Sequence, residues 1–195
     1  AEYLPLEAFI ILGETIKNMD LIDRIAGIAR RRQIPCFCLD REAGGCYPIR
    51  HDYTSGFEEM VRHVVEEHGA RCVNMLAGFE GHALSEDRVM VYRKVLEENG
   101  IAFEEERVGY GQFWEVPARK EMERFLKSDL PMPEAIVCAN DAMALVACNV
   151  LEEAGYRVPE DVIVTGFDGV NDGKYYRPVL ETCAPDYEGA VWFIF

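Results

Sequence analysis

The chain has 195 residues, 35 Asp and Glu against 20 Lys and Arg, and a formal net charge of −15. Such an acidic balance excludes a broad phosphate-binding face, which needs clustered Lys and Arg. With 49% hydrophobic residues the chain can bury a core, which excludes intrinsic disorder, and its length suits one domain or two small lobes.

No apolar run approaches the roughly 18 residues that cross a bilayer. No signal peptide is visible either. A soluble, cytoplasmic protein with no membrane partner is expected. The seven cysteines are odd in number and lie mostly in apolar segments. They read as reduced thiols rather than a secreted disulfide framework. Neither a C-x-x-C pair nor a Cys/His quartet is present, so no metal is expected.

Taken in chain order, short unbroken apolar runs alternate with amphipathic stretches. The runs are 8–12, 34–39, 72–76, 135–138 and 162–165, and the stretches are 18–32, 53–68, 85–99, 115–127 and 141–155. Unbroken runs, rather than alternating ones, are what a parallel sheet covered on both faces requires. Arg30-Arg31-Arg32 reads as the charged end of the first helix. Asp52 and Asn140-Asp141 sit where helix caps belong, and Gly69, Gly100 and Gly155 where left-handed C′ residues belong. Strand, helix, strand repeated in this way predicts an α/β fold.

Each run is followed by polar or glycine residues: Gly13-Glu14, Asp40-Arg41, Gly78, Asn140-Asp141 and Gly166-Phe167-Asp168. Ligands of open parallel sheets bind outside the carboxyl ends of the strands. Carboxylates, an amide and a ring at that edge suit a small molecule rich in hydroxyl groups. The competing reading is that Asn and Asp merely cap the following helices.

Several motifs are missing. There is no G-x-G-x-x-G after a strand and no G-x-S-x-G elbow. Gly169-Val-Asn-Asp-Gly-Lys-Tyr175 is one residue too short for a phosphate loop. His63 and His68 lie on a Glu-rich helix and read as a solvated face. No nucleophile is paired with a base, so the chain is not expected to be an enzyme and needs no cofactor.

The run Pro133-Glu-Ala-Ile-Val-Cys-Ala-Asn140-Asp141-Ala-Met-Ala-Leu145, then Gly155-Tyr-Arg-Val-Pro-Glu-Asp-Val162 and Val164-Thr-Gly-Phe-Asp168, closely resembles the effector-binding core of the LacI/GalR family. Tyr176-Arg-Pro178, Leu180-Glu-Thr-Cys183, the strand ending in Asp40-Arg41 and the helix start Ser85-Glu-Asp-Arg88 extend the resemblance over nearly the whole chain. It implies a two-lobed, type I periplasmic-binding-protein-like fold with parallel sheets flanked by helices. The first lobe would be truncated, comprising 1–50 with 186–195, and the second would be 51–185. The family's helix-turn-helix is missing, and Trp192-Phe-Ile-Phe195 reads as the start of a lost helix.

By the same resemblance a ligand lies in a cleft between the lobes. Asp40 contributes from the first, and Arg88, Phe113, Asn140 and Asp168 from the second. Trp114 competes with Phe113 as the aromatic residue, and both could instead be core. The alternative for Arg88 is a surface pair with Tyr92 or with the turn at Leu84. Asp40 and Asp168 would accept hydrogen bonds from adjacent hydroxyls while Arg88 and Asn140 donate. The expected function is a sensor for a small polar metabolite, a sugar above all, in a homodimeric transcriptional regulator, with no direct nucleic-acid contact by this chain. Phe57-Glu-Glu-Met-Val-Arg-His-Val-Val65 and Glu105-Glu-Arg-Val-Gly-Tyr-Gly111 are similar to sensor regions fused to GGDEF diguanylate cyclases, which gives the alternative output. A dimerisation scaffold without ligand is the third reading, and a receiver-like domain with Asp40 as acceptor is disfavoured because Asp168 stands where its lysine would be.

Overall fold

A computed structural model describes residues 6–13, 16, 18–170 and 179–185. Glu14, most of the 169–175 loop, the 176–178 segment and the tail 186–195, with its apolar Trp192-Phe-Ile-Phe195 ending, lie outside the described residues. The chain divides into two compact units, one running up to Asp52 and one from Tyr53 to Pro185.

In the first unit the apolar runs form β1 (Phe9–Leu12) and β2 (Cys36–Leu39), joined by helix α1 (Met19–Arg32). Asn18 caps that helix by accepting from the Leu21 amide at 3.3 Å, and Gln33 ends it in the left-handed conformation. A third strand, β3 (Tyr47–Ile49), completes a parallel sheet in the order β1-β2-β3, with Ile11 opposite Cys38. Ile11, Ile22, Ala29, Cys36 and Cys38 make its core. Two-sided burial was expected for every apolar run, and β1 departs from it. Ile11 faces the core while Ile10 and Leu12 are exposed, because among the described residues only one face of this strand is covered.

The second unit carries β4 (Val73–Ala77), β5 (Val108–Tyr110), β6 (Ala135–Cys138), β7 (Ile163–Phe167) and β8 (Glu181–Cys183). All pair in parallel in the order β5-β4-β6-β7-β8. Every residue of β4 and β6 is buried, the two-faced cover that unbroken apolar runs predict. Helices α2 (Tyr53–Arg62) and α3 (Ala83–Glu98) pack on one face around Phe57, Tyr92 and Phe167. Helices α4 (Glu115–Lys127) and α5 (Asp141–Glu153) pack on the other around Met122, Met143 and Leu151. Gly69, Gly100 and Gly155 have φ of 75°, 69° and 90°, the left-handed values expected after helix ends.

The stretch 53–68, expected as one helix, divides in two. The α-helix runs to Arg62, and His63–Glu67 form a π-helical turn closed by the His68 amide donating to the His63 carbonyl at 3.1 Å. All seven cysteines are free thiols, four of them buried. No helix among the described residues is long and apolar enough to cross a membrane.

Candidate functional site

Chain direction explains where the second unit can bind something. From β4 the chain crosses to β5 on one side, then returns past β4 to β6, β7 and β8 on the other. The two crossovers diverge between β4 and β6, and divergent crossovers open a crevice outside the carboxyl ends of those strands. Gly78 and Phe79 follow β4 there, Gln112 and Phe113 follow β5, Asn140 and Asp141 follow β6, and Asp168 follows β7.

Phe113 is half-buried, and its ring lies directly over Gly78. A Cβ at Gly78 would come within 2.1 Å of ring carbons. Phe79 meets the same ring edge-on, with centroids 5.9 Å apart. Gln112 and Phe113 have φ of 56° and 63°, a conformation non-glycine residues adopt rarely and hold only when their surroundings enforce it. Trp114, the competing aromatic residue, is exposed. Gly78→Ala is expected to displace the Phe113 ring and cost about 1–3 kcal/mol by overpacking. Combining it with Phe113→Ala should recover most of that loss, because the clash needs both groups. Urea unfolding of the single and double variants measures this coupling directly.

Asn140 is the N-cap of α5. Its Oδ1 accepts from the Met143 amide at 3.0 Å, while Nδ2 donates to the Phe113 carbonyl at 3.3 Å. The capping and ligand readings of this residue are therefore compatible. One amide holds the helix start and ties the β5 turn to the β6 end.

Arg88 is only 3% exposed, so the alternative of a surface pair with Tyr92 fails. It reaches from α3 through a cage of rings, with its guanidinium carbon 4.4 Å from the Phe167 centroid and 5.5 Å from that of Phe57. At the end of the cage it donates to the Ala139 carbonyl, immediately before Asn140. Tyr92 is engaged elsewhere, its hydroxyl donating to the Val73 carbonyl at 2.8 Å. Stacking on aromatic faces lets a charged guanidinium stand in an apolar layer.

Asp168 follows the last buried strand at φ 120°, a region favouring glycine, with its amide donating to the Cys183 carbonyl at 2.8 Å. Burial raises its carboxyl to about 6, against an ordinary value of 3.8. The charge of Arg88 pulls the other way, and the nearby Asp141 carboxylate adds to the rise. The carboxylate is thus kept half-buried on a strained backbone, two features that each cost stability.

Asp141 is the residue that pattern reading undervalued as one more helix cap. It is fully buried. Oδ2 accepts from the Val170 amide at 2.7 Å and Oδ1 from the Thr182 hydroxyl at 2.6 Å, and that hydroxyl also accepts from the Gly169 amide at 3.2 Å. Gly166 makes the room, since a Cβ there would lie 2.2 Å from Asp141 Oδ1. Asp141 thus pins both the 168–170 turn and β8. The sequence held a hint, a charged residue opening the otherwise apolar Ala-Met-Ala-Leu helix.

Asp40 belongs to the first unit. It follows β2 at φ 58° and accepts from the His51 amide and ring Nδ1, both at 3.0 Å. Four of the predicted residues, Arg88, Phe113, Asn140 and Asp168, thus share one sheet edge, and Asp40 stands at the corresponding edge of the other sheet. His63 and His68, read from the sequence as a solvated helix face, instead meet Glu181 in a cluster. In an α-helix residues five apart point about 140° from each other. The π-helical turn brings these two onto one face.

Comparison with known proteins agrees with this architecture. Residues 61–191 match the periplasmic binding protein-like domain family. The chain is 31% identical over 155 residues to the Probable HTH-type transcriptional repressor ExuR of Bacillus subtilis (strain 168), covering 78% of this chain and 46% of that protein. It is 29% identical over 132 residues to the HTH-type transcriptional repressor PurR of Pasteurella multocida (strain Pm70), covering 68% and 39%. A solved sugar-binding transcriptional regulator of the LacI family from Escherichia coli, complexed with phosphate, superposes with a TM-score of 0.73 at 26% identity, over 90% of this chain and 62% of that one. The chain spans less than half the length of the two repressors it matches.

Proposed function

Because this chain belongs to the LacI/GalR family of periplasmic binding protein-like effector domains, we propose that it binds a small polar metabolite of the sugar class and acts as the sensor of a transcriptional repressor. The observation that carries this reading is Asp168, a half-buried carboxylate on a strained backbone at the carboxyl edge of the sheet, with Arg88 behind it. Two oxygens of one carboxylate accept hydrogen bonds from adjacent hydroxyls, the pattern a sugar presents. Phe113 supplies a ring for the apolar face of the pyranose. Asn140 has a second N–H that is not used among the described residues, and it donates to the ligand. Arg88 holds the Ala139 turn and balances the Asp168 charge. Asp40 is the first unit's contribution, proposed on the strength of the family resemblance.

The sugar class is favoured because the Escherichia coli regulator similar to this chain is described as sugar-binding. The DNA-binding output is favoured over a diguanylate cyclase because the named relatives are HTH-type repressors. In this reading the chain is the ligand-binding part of a homodimeric regulator and performs no catalysis itself.

Thermal unfolding of this chain against a panel of monosaccharides, disaccharides and nucleobases tests the proposal. A ligand at a hundred times its Kd stabilises by about 2.7 kcal/mol, readily seen as a rise in Tm. One sugar should give such a rise, and Asp168→Ala should abolish it. A panel in which no sugar stabilises, or a rise that survives Asp168→Ala, overturns the reading.

A further inference from the structure

The π-helical turn at the end of α2 has no role in the sugar reading, yet it performs a distinct geometric task. It places the His63 and His68 rings edge to face, with centroids 4.6 Å apart. Across from them, on β8, Glu181 presents one carboxylate oxygen 2.6 Å from His63 Nε2 and the other 3.4 Å from His68 Nε2. The three ligand atoms all lie within 4.8 Å of one another. A tetrahedral ion with bonds of about 2.0–2.2 Å needs ligand atoms about 3.3 Å apart, so small side-chain adjustments suffice.

A second feature sets this cluster apart from a chance meeting of surface ion pairs. The other nitrogen of His63, Nδ1, faces Glu67 Oε2 at 3.0 Å. A carboxylate on the far nitrogen of a metal-binding histidine fixes its tautomer, turns Nε2 toward the ion and raises its basicity. Glu67 is the last residue of the π-turn, so the same backbone insertion aligns the two histidines and supplies that support.

We propose that His63, His68 and Glu181 form a binding site for a divalent transition-metal ion, with Glu67 orienting His63. Two imidazoles and one carboxylate suit Zn²⁺, Co²⁺ or Ni²⁺ rather than Ca²⁺ or Mg²⁺, which prefer all-oxygen shells. The side chains are about two-fifths exposed, leaving the remaining coordination positions to water. A bound ion ties the end of α2 to β8, one residue before the Thr182 that holds Asp141. The site stands independently of the sugar proposal.

Titration of this chain with Co²⁺ alone, followed by visible absorption, tests the site, with Zn²⁺ added afterwards as competitor. One equivalent should produce d–d bands without thiolate-to-cobalt charge transfer, and Zn²⁺ should abolish them. His68→Gln and Glu181→Gln should each weaken binding by tenfold or more, and Glu67→Gln by about tenfold. The metal-free melting curves of these surface variants should match that of the parent. Absence of d–d bands, an unchanged spectrum in His68→Gln and Glu181→Gln, or thiolate charge transfer marking the cysteines as ligands would each overturn the proposal.

Discussion

Asp141→Ala is expected to lower the unfolding free energy by about 3 kcal/mol, the largest stability loss of any single change at the carboxyl edge of the second sheet. The Asp141 carboxylate is fully buried and accepts from the Val170 amide and the Thr182 hydroxyl. Removing it takes a charged acceptor from both donors, and a hydrogen bond to a charged group contributes about 1.5 kcal/mol. It also removes a negative charge from the first turn of α5, where the helix dipole contributes about 0.5 kcal/mol. Asp141→Asn should cost roughly half as much, because the amide still accepts at one oxygen but meets the second donor with an N–H. Urea unfolding followed by far-ultraviolet circular dichroism measures both. An Asp141→Ala variant within about 0.5 kcal/mol of the parent would mean that the 168–170 turn is anchored by other groups.

The same residue shows where pattern reading stops. Asp141 follows a strand and opens a helix, and the N-terminal cap reading satisfies everything visible locally. Its partners lie 29 and 41 residues further on, and no local pattern announces them. Arg88 is similar. Its spacing from Tyr92 allows an exposed pair, whereas the aromatic cage that buries it comes from α2 and β7. By contrast, the parallel sheets were legible because burial on both faces imposes unbroken apolar runs, and β4, β6 and β7 obey that rule. The strands that escaped are short and sit at sheet edges. Tyr47–Ile49 has proline at its centre, which an edge tolerates. Val108–Tyr110 has glycine at its centre, where a Cβ would meet Glu121 and Phe125 at 2.8–3.0 Å, so packing of α4 dictates a residue that strand propensity disfavours. The π-turn was invisible for another reason: one inserted residue leaves the composition of an amphipathic helix unchanged.

Asp168→Asn is expected to separate binding from stability. Burial raises the Asp168 carboxyl from 3.8 to about 6, with Asp141 adding to the rise and Arg88 opposing it. The folded state therefore holds this proton more tightly than the unfolded chain, and its contribution to stability is complete below about pH 4. As pH rises through 6 that contribution is lost, and above 6 no further change comes from this group. Asparagine mimics the protonated carboxyl at every pH. The Tm of Asp168→Asn relative to the parent should climb between pH 4 and 6, then stay level at a positive value. Binding should move the opposite way. A ligand whose hydroxyls donate to the carboxylate loses charge-assisted hydrogen bonds of about 1.5–3 kcal/mol, so its affinity for Asp168→Asn falls roughly 10- to 100-fold at pH 7.5. Affinity for the parent should also weaken below pH 6 as the carboxylate takes up its proton, while the residual affinity of Asp168→Asn stays flat. Thermal shifts and calorimetric titrations across pH 4.5–8 read both quantities on the same samples. Parallel pH profiles for the two proteins would show that Asp168 titrates as an ordinary surface carboxylate, and the half-buried acceptor assigned to the sugar would then be lost.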